Sequence, residues 1–167
     1  MNSRAQMRRG YANTRLGQIH YASAGEAGAT PLMLLPQGGR TWRMFAGLAA
    51  QLADEYRLYA IDYPGSGSSD PFPPGASFED VAAAVIDVLD ELGIASALVY
   101  GLHTGNKIAA AIAAGWPARV RKLAFAGQTH SIVAQNEKRA GTIGRTRRKL
   151  LSHADEREAA LVHWADT

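Results

Sequence analysis

Apolar and polar positions change their period several times along the 167 residues. YANTRLGQIHYASAG, from Tyr11, alternates polar and apolar side chains on either side of Gly17, which predicts two strands joined by a turn. After the loop GEAGATP comes PLMLLP, a short and continuously apolar run of the kind buried on both faces. WRMFAGLAAQLADEY then sets Phe45, Leu48, Ala49 and Leu52 on one helical stripe. YRLYAID predicts a second buried strand, stopped by YPGSGSSDPFPPG, a loop dense in Gly, Ser and Pro.

The following helix carries its own boundary marks. Ser77 with Asp80 three residues later fits a capping box, Val81, Val85, Val88, Leu89 and Leu92 form an apolar stripe, and Gly93 sits where a C′ glycine ends a helix. IASALVYG is a third buried strand, TGNKIAAAIAAGWP a helix ended by Gly115 and Pro117, and VRKLAFAG a fourth buried strand. Residues 131–167 then lose all strand character and read as polar helices broken near Gly141 and Gly144. Buried strands alternating with amphipathic helices predict an α/β fold, a mostly parallel sheet with helices on both faces and the first two strands as an antiparallel extension at one edge. Residues 1–130 form its core, and the ligand crevice is expected at the carboxyl ends of the strands.

Charge and composition narrow the classes. The net charge is +3, and basic residues gather between Arg119 and Lys149. No aromatic residues interleave with them and no nucleic-acid motif accompanies them, so a solvated helix face is expected and no nucleic-acid partner. Absent cysteine excludes disulfides and thiolate chemistry. No apolar run is long enough to span a bilayer, and the basic start MNSRAQMRRG lacks the apolar stretch of a secretory signal. The expectation is a soluble, cytoplasmic protein with no membrane partner.

Candidate chemistry centres on LVYGLHTGNKIAAAIAAG, where a strand meets a helix through a glycine-flanked turn with His103 at its centre. Such a turn needs glycines on both sides because strand and helix pack closely, and it holds the central residue in strained geometry above the sheet. Gly101 and Gly105 meet that demand. With LMLLPQGGRTWRMF, the Asp-x-Pro-Gly-x-Gly-x-Ser block from Asp62 to Ser69, SFEDVAAAVIDVLDELGI and PARVRKLAFAG in this order, the chain resembles the α/β-hydrolase family over its first three-quarters.

The resemblance implies that His103 stands at the nucleophile position, usually serine, and that Thr104 donates one oxyanion-hole N–H. Gly38 stands at the other donor position, after Pro36-Gln37 where the family usually has a His-Gly pair. The acid and histidine of a triad come from later strands, which this chain lacks; residues 131–167 match the start of a helical cap. Asp155 and His163 satisfy the triad order only nominally, in an amphipathic helical stretch where surface roles suffice. The resemblance implies no cofactor. It leaves open a hydrolase of small esters, lactones or other acyl compounds, or a non-catalytic relative binding a small hydrophobic ligand or a protein partner.

Imidazole can act as a nucleophile or a base near neutral pH, so His103 is chemically competent, while an inert pocket is the plainer reading. Asp62, His103 and His130 all follow buried strands and could form an open metal face, but the loop role of Asp62 is structural and no metal is expected. His20, in an edge strand, and His153 and His163 are expected to face solvent. Trp42 and Phe45 belong to core packing before pocket lining, and Ser66, Ser68 and Ser69 to turn chemistry. Were the chain to end at Thr167, VRKLAFA would be an exposed apolar edge, which predicts a homodimer through that edge, low solubility or a longer parent protein.

Overall fold

The computed structural model describes residues 6–127. Its strands are β1 (Arg8–Thr14), β2 (Gly17–Ala24), β3 (Thr30–Leu35), β4 (Tyr56–Ile61), β5 (Ala97–Leu102) and β6 (Val120–Ala126), joined in one sheet in the order β1-β2-β4-β3-β5-β6. β1 and β2 are an antiparallel hairpin closing at Thr14 opposite Gly17, and β2 runs antiparallel to β4. From β4 outward every pairing is parallel. The mostly parallel sheet with an antiparallel extension at one edge is therefore the observed architecture.

Three helices cover it: α1 (Ala46–Leu52), α2 (Phe78–Glu91) and α3 (Thr104–Gly115). The run PLMLLP becomes β3 because its side chains serve two cores at once. Met33 and Leu35 join α2 and α3 on one face, while Leu34 joins Phe45 and Ala49 on the other. That two-sided burial is why β3 is apolar without alternation.

α2 begins and ends as its sequence dictates. The Ser77 hydroxyl accepts the Asp80 N–H at 3.1 Å, and the Asp80 carboxylate accepts the Ser77 N–H at 2.8 Å. At the other end Gly93 takes φ +65°, with Ile94 N–H bonded to the Leu89 carbonyl and Gly93 N–H to that of Asp90. Those two bonds satisfy carbonyls that the helix leaves unpaired. Before α1, the predicted helix starts as a 3-10 turn over Trp42–Phe45.

β6 departs from expectation. Its central residues are exposed, with Leu123 at 37% and Phe125 at 40%. As the outermost strand among the described residues it has β5 on one side only, so it lacks there the neighbours that bury the inner strands. Residues 131–167, predicted as a helical segment with His153, Asp155 and His163, lie outside the described residues, as do His130 and the basic residues beyond Lys122. Among the described residues no helix is long and apolar enough to cross a membrane.

Candidate functional site

The turn between β5 and α3 is as tight as its glycines require. A Cβ on Gly101 would stand 2.6 Å from the carbonyl oxygen of Gly105, and one on Gly105 would run into the carbonyl oxygen of Leu35. The start of α3 thus rests directly on the backbone leaving β3. His103, between them, has φ 57° and ψ −108°, the one non-glycine residue with positive φ among the described residues. A side chain held there costs about 1–3 kcal/mol and persists only because surrounding contacts enforce it.

Those contacts come from β6. The His103 N–H donates to the Ala126 carbonyl at 3.0 Å, and the Asn106 Nδ2 donates to the same oxygen at 2.9 Å. Asn106 is fully buried in the first turn of α3, and its Oδ1 has no partner among the described residues. It escaped the sequence reading, because a polar residue in the first turn of a helix carries no mark of burial. The His103 ring is half-buried beside Gly127, where an added Cβ would lie 3.2 Å from its Cδ2. Among the described residues nothing hydrogen-bonds to that ring.

Gly38 and Thr104 are brought together. A Cβ on Gly38 would lie 3.2 Å from the Thr104 Oγ1, and both residues line a cavity of about 360 Å³. Thr104 is the first residue of α3, where the backbone N–H has no partner within the helix and carries the positive end of its dipole. Phe72, Phe78, Val81 and Ile108 supply apolar wall, and Tyr63 and Ser66 add hydroxyl-bearing residues. The described wall reaches Thr104 but does not include His103. Tyr63, 6% exposed, has a hydroxyl without a partner among the described residues, and burial pushes its pKa well above the ordinary phenol value.

Asp62 serves another purpose. Its Oδ1 accepts the Trp42 N–H at 2.7 Å, capping the 3-10 turn from across the loop, and its Oδ2 meets the His20 Nδ1 at 2.9 Å and the Ser68 N–H at 3.3 Å. With both oxygens engaged and the residue 1% exposed, Asp62 is a loop anchor rather than a metal ligand. Among the described residues no group of three His, Asp or Glu could hold a metal ion. His20 corrects the expectation of a solvent-facing ring: it is 1% exposed, because β1 covers β2 and makes it an inner strand. Ser69 completes the lock, its hydroxyl accepting the His20 N–H and donating to the Asp62 carbonyl. Phe45 packs in the core against Tyr100, and neither it nor Trp42 lines the cavity.

The chain has relatives of known fold. The family model for the alpha/beta hydrolase fold matches residues 30–160. Epoxide hydrolase 4 of Mus musculus is 34% identical over 119 residues, which cover 70% of this chain and 33% of that protein. A 2-hydroxy-6-oxononadienedioate/2-hydroxy-6-oxononatrienedioate hydrolase of Pseudomonas putida is 36% identical over 114 residues, covering 66% of this chain and 40% of that protein. The crystal structure of naproxen esterase from Bacillus subtilis superposes with a TM-score of 0.67 at 30% identity, over 71% of this chain and 42% of that one. The chain thus spans well under half the length of these relatives.

Proposed function

Because this chain belongs to the alpha/beta hydrolase fold family, we propose that the cavity at Gly38 and Thr104 binds a small ester, lactone or other acyl compound and that His103 hydrolyses it. The observation that carries the reading is the backbone of His103. A histidine held at φ 57° at the tip of this turn is strain that a glycine would relieve, and strain of this kind gathers at functional sites. The naproxen esterase, a protein named for acyl-ester chemistry, supports the substrate class.

In the proposed reaction the carbonyl oxygen lies against the N–H groups of Gly38 and Thr104. The lone pair of neutral imidazole attacks the carbonyl carbon, and the C=O electron pair becomes an oxyanion held by those two donors. Collapse breaks the C–O bond to the leaving group, which takes the proton from the other ring nitrogen and departs as the alcohol. Water then adds to the acyl-imidazole, releasing the acid and regenerating the histidine. Imidazole has a free lone pair at neutral pH, so this nucleophile needs no separate base of the kind a serine hydroxyl requires.

A second reading, binding without turnover, is favoured by one feature: the described cavity wall stops at Thr104, one residue short of His103. The test uses the natural full-length protein with p-nitrophenyl butyrate. His103→Ala is expected to lower kcat/KM by roughly 100-fold or more, and mass spectrometry of quenched wild-type reactions should find a butyryl group on His103. Turnover unchanged by His103→Ala would sink the catalytic role. Absent turnover with retained binding of an unreactive ketone analogue would establish the second reading.

A further inference from the structure

Among the described residues, the wall of the cavity beside the elbow is uncharged. Phe72, Phe78, Val81 and Ile108 make its apolar surface, and among the described residues no Asp, Glu, Lys, Arg or His stands in its wall. Tyr63 is the one titratable side chain there, and burial keeps it a neutral phenol far beyond physiological pH. Lys107 is close, but its ammonium lies over the Phe78 ring, 5.3 Å from the centroid, and the residue does not line the cavity. A volume of about 360 Å³ lies at the small end of ligand sites.

Resting on the acyl-site reading above, we propose that this site selects small uncharged acyl compounds and rejects those carrying a carboxylate at the far end of the acyl chain. With the carbonyl placed at Gly38 and Thr104, the chain runs along Phe72, Phe78, Val81 and Ile108, where its methylenes leave water for apolar surface. A terminal carboxylate following the same path sheds its hydration and meets no counter-charge, a loss that apolar contacts do not offset. On this ground the chain parts from its Pseudomonas putida relative, whose name specifies a dioate.

Two unreactive probes of one skeleton decide the matter: methyl pentyl ketone, and the same ketone ending in a carboxylate. Titration calorimetry with the natural full-length protein should show the neutral ketone binding at least ~30-fold more tightly than the charged one. Ser66→Lys places an ammonium at the half-buried Ser66 position of the wall and should narrow that difference to about threefold or less. Equal binding of the two ketones by the wild type would overturn the inference while leaving the acyl site standing. Equal binding that Lys107→Met abolishes would overturn it too, and would assign the carboxylate to Lys107. A difference untouched in folded Ser66→Lys would place the discrimination outside this wall and likewise overturn it. No binding of either ketone would overturn the acyl-site reading itself, and this inference with it.

Discussion

His103 pays for its position with backbone strain that no other described non-glycine residue shares. Replacing it with glycine removes about 1–3 kcal/mol of strain and adds back roughly 0.4–1 kcal/mol of unfolded-state freedom. His103→Gly is therefore expected to raise stability by about 1 kcal/mol while abolishing ester turnover, whereas His103→Ala keeps the strain and gains nothing. Urea unfolding midpoints of the two variants check this, and a glycine variant less stable than wild type would refute the strain. At this scale the sequence was unevenly legible. Gly101 and Gly105 announced the turn, because only a missing side chain lets Leu35 and the start of α3 touch. His20 announced nothing, because its partner Asp62 lies 42 residues away and reaches it only through the pairing of β2 with β4. The unpartnered Tyr63 hydroxyl was equally silent: a tyrosine in a Gly- and Pro-rich loop carries no sign of where its ring will be buried.

α2 is held by local marks at its ends and by a distant one along its length. The Arg15 guanidinium in the β1–β2 turn grips the Asp87 carboxylate with two bonds of 2.8 Å, and the Arg15 N–H adds a third at 2.9 Å. Arg15 holds the Asp87 carboxyl below its usual range, chiefly through its side-chain bonds and against some desolvation. The backbone N–H of Ser77, then its hydroxyl, do the same for Asp80. Both acids have a folded pKa below the unfolded one, so their stabilisation is complete above the unfolded value, about 4. It is lost as pH falls through the lower folded values. Urea midpoints should be nearly flat from neutrality to about pH 5 and decline below about pH 4, with a shallower decline in Asp87→Asn. A wild-type acid limb matched by that of Asp87→Asn would remove Asp87 from the account. The caps of α2 were legible because Ser77 and Asp80 sit one turn apart. The 3-10 start before α1 was not, since the carboxylate that caps Trp42 belongs to the loop after β4.

The whole sheet explains the exposure of β6. VRKLAFA has the composition of an inner strand, yet among the described residues it stands last in the order of pairing. With Leu123 and Phe125 exposed on a strand that is outermost among the described residues, the 167-residue chain is expected to self-associate through β6. Leu123→Lys with Phe125→Lys should shift it toward monomer in sedimentation velocity, and an unchanged distribution would place the contact elsewhere. The strand order also sets a timetable for synthesis. β3 leaves the ribosome before β4 and β5, the two strands that flank it, and the Gly38 wall of the cavity is made long before the Thr104 wall. The hairpin and β4 can pair while that cavity still lacks half its surface. A ligand can hold the finished fold by mass action, but it has nothing to grip until β5 and α3 have emerged. On the proposed reading, small acyl compounds would thus rescue a variant that unfolds after completion, and leave untouched one that fails while the chain is still growing.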